Sequence, residues 1–246
     1  MISKILNKLY QKITALITGF FWYSGDLFKY YFLLKKSASK EKIKLFPQIF
    51  DRAPGSHTFD KHYVYMDRWA FKHILVNQPA CHVDVGSSIR FLSMASALTH
   101  LKFVDIRPIH TDFDNFECIT GSILNMPFES QSIVSLSCLH VAEHIGLGRY
   151  GDPLDASGTK RACLELSRVL AVGGSLYFAL PIGKPAVYFN AHRVHDPETI
   201  LEYFSGLSLQ SFSAINDGGH FVESAKIQDY KTANYACGCF EFKRDS

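Results

Sequence analysis

The chain has 246 residues, of which 47% are hydrophobic and 20% are charged, and its formal net charge at pH 7 is +3. This composition is ordinary for a folded protein and excludes a disordered chain. The length is enough for one α/β domain of roughly 200 residues with an appendage.

The positive charge is concentrated at the amino terminus. Residues 1–45 contain nine Lys against Asp26 and Glu41, a balance of +7, so the remainder of the chain is close to −4. A basic head is suited to an anionic membrane surface, whereas the acidic remainder gives no reason to expect nucleic acid as a partner.

The six Cys residues include no C-x-x-C pair, which excludes zinc-finger and thioredoxin-type sites. Cys237 and Cys239 are the one closely spaced pair, and strand alternation would place both on one face. Free thiols in this number are typical of a reducing compartment, so we expect a cytoplasmic protein.

Residues 1–46 are predicted to form an amino-terminal helical appendage. Apolar residues recur at helical spacing from Ile5 to Ile17 with Lys on the opposite side, and two aromatic stretches follow, separated by a break at residues 24–26. The longest run without charge has about 13 residues, fewer than the roughly 20 that span a bilayer. Two interpretations follow. The appendage packs on the domain or on a second copy of the chain, or residues 1–35 lie as an amphipathic anchor on the inner face of a membrane.

Residues 47–79 are predicted as a linker and a lead-in helix, and residues 80–246 as the main domain. Within residues 47–246, strands are expected at 81–86, 102–105, 117–121, 133–138, 174–180, 208–215 and 235–243, and helices at 61–77, 89–98, 159–170 and 196–204. This alternation predicts an α/β fold, a Rossmann-like three-layer sandwich around a mostly parallel seven-stranded sheet.

The first of these strands closes with Asp84-Val85-Gly86, and Asp105 ends the next strand 21 positions after Asp84. A strand that ends in Gly lets a ligand approach the backbone, and an acid about 20 residues further on can accept both hydroxyls of a ribose. A nucleotide-like cofactor is therefore expected at this edge of the sheet.

These residues, together with Ser122 and with Gly173-Gly174 before the fifth strand, resemble class I S-adenosylmethionine-dependent methyltransferases over about residues 80–243. The resemblance implies S-adenosylmethionine as cofactor. The cofactor-binding residues that it implies are Asp84, Gly86, Ser87, Asp105, Ser122 and Cys138. The chain departs from the family pattern at Ser88, which replaces a Gly of D-x-G-x-G, and at Ser122, where an acid is usual.

Behind the fourth strand, residues 140–144 read H-x-x-E-H, the inverted zinc-protease motif. The motif follows a central strand rather than lying in a long helix, so a protease is not favoured. Ubiquinone O-methyltransferases and small-RNA 3′-end 2′-O-methyltransferases have a similar turn that binds a divalent metal. That resemblance implies His140, Glu143, His144 and His192 as ligands, which suit Mn, Fe, Co or Zn better than Mg. The alternative is that these side chains only position the loop.

The predicted catalytic residues are Glu143, His144, Arg149 and His192. A metal would acidify a substrate hydroxyl, and without one His144 or His192 would act as general base. The predicted substrate-binding residues are Arg149, Tyr150, Asp152, Asn190 and Arg193, because Arg binds phosphate or carboxylate and Tyr stacks on sugar rings.

Residues 135–152, with residues 105–108 before them and 189–194 after them, also resemble an uncharacterised domain family associated with surface-polysaccharide biosynthesis. This resemblance implies an O-methyltransferase whose substrate is a sugar, a nucleotide-sugar or a lipid-linked glycan. Two alternatives stay open. One is a metal-dependent enzyme of another class acting on a nucleotide-sugar, and the other is a non-catalytic partner in a glycan-synthesis complex.

Overall fold

The computed structural model describes residues 2–37, 42–50, 52 and 59–245. The chain divides into two compact units, Met1–Phe59 and Asp60–Ser246. The first contains α1 (Ile2–Lys36), and the second contains every other helix and strand of the described residues.

In the first unit, α1 is one continuous helix of 35 residues. The break predicted at residues 24–26 is therefore wrong. An isolated Gly costs a helix only about 1 kcal/mol, and here Asp26 pairs with Arg52 at 2.5 Å while the Arg52 guanidinium lies 3.9 Å from the Trp22 ring centroid. No helix in the described part of the chain is both long and apolar enough to cross a membrane.

The second unit is built on a twisted sheet. Its strands and those of a separate hairpin are β1 (Cys81–Val85), β2 (His100–Asp105), β3 (Phe116–Thr120), β4 (Ile133–Leu139), β5 (Leu170–Ile182), β6 (Ala186–Tyr188), β7 (His192–Val194), β8 (Ser208–Ile215), β9 (Phe221–Val222) and β10 (Ala236–Lys243). The sheet order is β3-β2-β1-β4-β5-β10-β8-β9, with the first five strands parallel and the last three joined by antiparallel pairs. The predicted α/β Rossmann-like sandwich is confirmed. The eighth strand is β9, which has only two residues and carries no periodic signal.

The helices of this unit are α2 (Lys61–Asn77), α3 (Ile89–Ser96), α4 (Gly158–Val169) and α5 (Pro197–Tyr203). On one side of the sheet α2 and α3 bury Met66, Trp69 and Phe91, and on the other side α4 and α5 bury Leu166 and Ile200. The sheet is thereby covered on both faces, which is the usual requirement of parallel strands.

Two local features differ from what the sequence predicted. The fifth strand was expected to begin at residue 174, after a turn at Gly173-Gly174, but β5 begins at Leu170, directly after α4. The glycines instead lie where the β4–β5 register shifts, and Gly173 has φ +77, a conformation that favours Gly at a bulge. The β6–β7 hairpin was not predicted because strands of three residues are too short to show alternation.

Candidate active site

A cleft opens at the carboxyl ends of β1, β2 and β4, where open α/β sheets bind their ligands. It comprises a large cavity of about 560 Å³ and a small cavity of about 270 Å³. The residues that line both cavities are Gly86, His140, His144 and Tyr150. The two cavities therefore adjoin, one beside the nucleotide edge predicted from the sequence and the other beside the H-x-x-E-H turn.

Gly86 and Asp105 shape the small cavity. Gly86 has φ +66, and a Cβ placed on it would lie 3.0 Å from Val141 Cγ1 and 3.7 Å from Asp105 Oδ2. A side chain at this position would fill the space between the loop and the acid. Asp105 Oδ1 accepts a hydrogen bond from the Arg107 amide at 2.7 Å, and Ser122 lines the same cavity. The position of these residues fits the adenosine part of a nucleotide cofactor.

Asp84 and Ser87 stabilise the loop after β1 through hydrogen bonds on its buried side. Asp84 is fully buried and accepts hydrogen bonds from the Ser87 amide at 3.0 Å, the Ser87 hydroxyl at 2.7 Å and the Ser137 hydroxyl. Burial raises the pKa of Asp84 to about 7, although these hydrogen bonds oppose the shift. Of the two, Ser87 lines the large cavity, whereas Asp84 acts as a support behind it.

Ser88, the departure from the family glycine, has a structural role. Its hydroxyl caps α3 by accepting from the Phe91 amide at 3.3 Å and donates to Asp67 of α2 at 3.0 Å. A Gly could make neither contact. Cys138, predicted to bind the cofactor, is fully buried in the core on the α4 side and is not among the residues that line either cavity.

His140 and Glu143 form a buried pair at the start of the turn. His140 has φ +58, an uncommon conformation for a residue with a side chain. Its Nδ1 lies 2.7 Å from Glu143 Oε1, and Glu143 has no exposed surface. Glu143 Oε2 is buried without a hydrogen-bond partner, and the other ring nitrogen of His140 is buried beside the Cys237 side chain, with which it interacts.

The charges of this pair support each other. Burial works against both ions, yet the nearby Cys237 and Glu143 raise the pKa of His140 well above its ordinary value. Burial likewise opposes the Glu143 carboxylate, but His140 and His144 lower its pKa. We therefore describe the dyad as an imidazolium–carboxylate pair in the metal-free protein.

His144 is held in one tautomer. Its Nδ1 donates to the Ala191 carbonyl at 2.6 Å, so Nε2 carries the lone pair, and this Nε2 lies 3.7 Å from Glu143 Oε1. The Arg149 guanidinium donates to the same carbonyl at 3.1 Å. Nε2 is therefore the nitrogen through which His144 would act as a general base.

The polar loop that follows divides into supporting and lining residues. Arg193 is buried, and its guanidinium donates to the carbonyls of Ile145 at 2.6 Å and Asp155 at 2.9 Å. Asp152 accepts from the amides of Gly146 and Tyr150 while lining the small cavity. Arg193 is therefore a clamp on the loop rather than a free anion-binding group.

Arg149, Tyr150 and His192 line the large cavity, whereas Asn190 lines neither. Two cations approach the Tyr150 ring, with the Arg107 and Arg149 guanidinium carbons 4.4 and 5.1 Å from its centroid. His192 projects from β7 with its ring centroid 5.0 Å from that of Tyr235, and burial lowers its pKa. The four predicted metal ligands thus all line one cavity.

Sequence reasoning missed the wall of the large cavity opposite this loop. It consists of the first turn of α2 with its N-cap, one residue of α3 and the residue that precedes β10. These residues are Asp60, Lys61, His62, Tyr63, Arg90 and Tyr235. The His62 ring stacks on the rings of His140 and Tyr235, and burial lowers its pKa to about 4. The sequence signals a helix at 61–77, but nothing in it indicates that the first turn of this helix faces the site.

Comparisons with known proteins agree with this geometry at the level of the fold. A family model described as Caenorhabditis protein of unknown function, DUF268, matches residues 125–240, which is less than half of the chain. No curated protein sequence matches the chain.

Solved structures of methyltransferases superpose on it. A geranyl diphosphate methyltransferase in complex with GPP and sinefungin is 13% identical, with a TM-score of 0.54, 74% of this chain covered and 78% of that chain. The N-methyltransferase NodS from Bradyrhizobium japonicum WM9, in complex with S-adenosyl-L-homocysteine, is 12% identical, with a TM-score of 0.52 and coverages of 88% and 98%. A 1,6-didemethyltoxoflavin-N1-methyltransferase from Burkholderia thailandensis is 11% identical, with a TM-score of 0.50 and coverages of 72% and 78%. The chain has the fold of class I S-adenosylmethionine-dependent methyltransferases.

Proposed function

We propose that the protein is an S-adenosylmethionine-dependent O-methyltransferase that acts on a sugar or glycan intermediate of surface-polysaccharide biosynthesis. The observation that carries the proposal is the pairing of the two adjoining cavities. Gly86 and Asp105 border a nucleotide-sized space, and His144 stands at its junction with a polar space large enough for a second molecule.

S-adenosylmethionine supplies an electrophilic methyl group on a sulfonium. The protein's part is to hold the nucleoside at Asp105 and Ser122, leave the backbone open at Gly86, and direct the methyl group toward the large cavity. The His144 Nε2 lone pair would accept the proton of the attacking hydroxyl, while the Ala191 carbonyl orients the imidazole by accepting from Nδ1–H. Holding the methyl group and the hydroxyl in line lowers the barrier, because it converts a bimolecular step into an effectively unimolecular one.

The substrate class is argued from charge and aromatic surface. The large cavity is lined by Lys61, Arg90 and Arg149, and Tyr150 presents a ring beside two guanidinium groups. Arg binds phosphate and carboxylate oxygens in pairs, and an aromatic ring packs on the apolar face of a sugar. A phosphorylated or acidic sugar precursor matches this lining.

Calorimetry with S-adenosylmethionine and S-adenosylhomocysteine tests the cofactor. We expect binding of both to the full-length protein, and an affinity lower by at least about tenfold in Asp105→Asn, since one good charge-assisted hydrogen bond is worth about 1.5 kcal/mol or more. Asp114→Asn, at an exposed position outside the cleft, is the matched control. Failure of the wild-type protein to bind either compound would overturn the proposal.

The second candidate function is metal-dependent chemistry on a nucleotide-sugar, without the methyl donor. The observation that favours it is the pair of guanidinium groups, Arg107 and Arg149, at the junction of the cavities, since they suit a diphosphate better than a zwitterionic methionine. Titration with a uridine diphosphate sugar in the same calorimeter separates the two. Binding of the nucleotide-sugar in competition with the adenosyl compounds would favour the second candidate.

Metal assistance through His140, Glu143, His144 and His192 is the finer part of the proposal. These residues line one cavity, but Glu143 is occupied as a hydrogen-bond partner of His140. Activity of the purified enzyme in a chelator tests it, and full activity without bound metal would remove it.

A further inference from the structure

Three metal-ligand side chains from distant parts of the chain meet at the wall of the large cavity. His62 lies in the first turn of α2, His140 follows β4, and Cys237 belongs to β10, and one ligand atom from each lies within 4.8 Å of the other two. Within residues 59–245, this is the one cluster of His, Cys, Asp or Glu that meets such a limit. His62 and His140 line the cavity, and Cys237 is fully buried.

His140 is oriented as a metal-binding histidine would be. Its Nδ1 is engaged with the Glu143 carboxylate at 2.7 Å, while its other ring nitrogen is buried and interacts with the Cys237 side chain, another of the three ligands. Metal-ligating histidines characteristically donate their other ring nitrogen to a carboxylate, which fixes the tautomer and strengthens the ligand.

The spacing of His62 and His140 also suits one ion. The ring centroids of His62 and His140 are 5.4 Å apart, and their planes are inclined by 30°. With a nitrogen about 2.1 Å from the metal in each ring and tetrahedral angles between ligands, two imidazoles on one zinc have a similar centroid separation. When the metal binds, the Cys237 thiol and the Nε2–H of the His140 imidazolium would each release a proton to solvent, because the thiolate and the neutral imidazole are the ligands.

We propose that His62, His140 and Cys237 hold a zinc-like divalent cation, with Glu143 as the carboxylate behind His140 and the fourth coordination position open to the large cavity. Two imidazoles and a thiolate favour Zn²⁺ or Co²⁺ over Mg²⁺. Three protein ligands with one open position are characteristic of catalytic rather than structural zinc sites. The open position would bind a hydroxyl of the acceptor, a role that rests on the proposed function, whereas the metal site itself does not.

Co²⁺ is the probe that tests the thiolate ligand. Full-length protein freed of metal by a chelator is titrated with Co²⁺, and we expect one ion per chain with a thiolate-to-cobalt charge-transfer absorption. Cys237→Ser should abolish that absorption. Cys239→Ser, a change at an equally buried position two residues along the same strand, should retain it. Bound Co²⁺ without the charge-transfer band would overturn the proposal.

Variants at three other positions keep the test valid if Cys237→Ser fails to fold. His62→Phe, which preserves the ring stack on Tyr235, should remove most of the affinity for Co²⁺ and Zn²⁺. Glu143→Gln should weaken it by about 10- to 100-fold, as measured for outer-shell carboxylates elsewhere. His192→Phe should leave it unchanged. The opposite result, with binding lost in His192→Phe and kept in His62→Phe, would assign the metal to the ligand set implied by the family resemblance and overturn this one.

The two proposals fail separately. Metal stoichiometry is measured without any adenosyl compound, and cofactor affinity is measured on the metal-free protein. Unfolding transitions followed by circular dichroism confirm that each variant is folded before its metal affinity is compared.

Discussion

At the scale of single residues, the site depends on buried polar side chains that hydrogen-bond to one another. Asp84 receives three hydrogen bonds from two serines, and His82 in the same layer contacts Ser135 and Ser137 at 2.7 and 2.8 Å. Such a network holds the backbone of β1 and β4 at the spacing that the cleft needs. It also makes the protonation of Asp84 part of the stability of the protein.

The stability of the protein should fall with rising pH because of Asp84. Folding raises the pKa of this carboxyl from about 4 to about 7, so the folded state binds the proton more tightly than the unfolded chain. The resulting stabilisation is complete below about pH 4 and is lost as the pH rises through about 7. Asp84→Asn removes this dependence while keeping a hydrogen-bonding side chain.

Urea unfolding at a series of pH values measures the effect. Relative to Asp84→Asn, the wild-type protein should lose on the order of 2 kcal/mol of unfolding free energy between pH 5 and pH 7. Asp112→Asn, at an exposed position, should run parallel to the wild type. Parallel curves for all three proteins would show that Asp84 is ionised across the whole range.

At the scale of elements, the helix caps and the close backbone crossings position the cleft. Ser88 joins the loop after β1 to both α3 and α2 through one hydroxyl. Gly146 and Gly158 lie where the loop after β4 meets the start of α4, and a Cβ on either would be 2.2 Å from a carbonyl oxygen.

Removal of the Ser88 hydroxyl should destabilise the protein. Ser88→Ala removes the cap of α3, a loss of typically about 1 kcal/mol, and leaves Asp67 without its donor. Ser93→Ala, on the exposed face of the same helix, should change the unfolding free energy by less than about 0.5 kcal/mol. Equal effects of the two substitutions in chemical denaturation would contradict the capping role.

Gly158→Ala should reverse the usual preference of helices for Ala. Gly158 is the first residue of α4, where Ala is ordinarily stabilising, but its Cβ would lie 2.2 Å from the Ile145 carbonyl oxygen. The backbone beside His144 must then move, so we expect a loss of about 1–3 kcal/mol and weaker cofactor binding.

Gly206→Ala is the matched control. No atom lies within 4 Å of a Cβ at Gly206, so this substitution should be neutral or stabilise by about 0.4–1 kcal/mol through the unfolded chain. Thermal unfolding of both variants is the measurement. A stabilised Gly158→Ala protein would mean that the loop and α4 do not cross as described.

The elements themselves were largely predictable, and the reasons for the exceptions are local. The helix at 61–77 was predicted with its observed bounds because apolar residues recur near one face and Pro79 follows, and the structure adds that Asp60 caps its start. The start of the fifth strand was predicted too late because the glycine pair at 173–174 was interpreted as a turn. Gly favours both helix ends and strand bulges, and here it forms a bulge. The β6–β7 hairpin carries His192. Its strands pair over only three residues each, which is too short for an alternation of apolar and polar residues to be seen in the sequence.

At the scale of the whole molecule, the sequence predicted half of the cleft. The side formed by β1, β2 and the turn after β4 follows from motifs with fixed spacing, so Gly86, Asp105 and His144 were predicted together. The other wall brings His62 to His140 and Cys237, and such long-range contacts are set by how helices pack on a sheet rather than by local sequence. That is why the candidate metal cluster emerged only from the structure.

The amino-terminal unit provides the last prediction, contact with an anionic membrane through residues 1–35. One face of α1 exposes large apolar side chains, among them Leu6, Ile13, Ile17 and Phe20, each about half or more exposed. Residues 1–45 carry nine Lys against two acids, a net charge of +7, and Ile49 lies against Gly19 on a different face of the helix. A helix of this kind binds at the level of lipid headgroups, with its apolar side chains inserted.

Co-sedimentation of the full-length protein with vesicles measures this contact. We expect binding to vesicles containing anionic lipid, weakened by salt because the Lys contribution is screened. Ile13→Asp with Phe20→Asp should abolish it, whereas Asn7→Asp with Gln11→Glu, an equal change of charge on the polar face, should weaken it only partly. If the protein remains in the supernatant and the first double variant instead dissociates a dimer, a second copy of the chain covers this face.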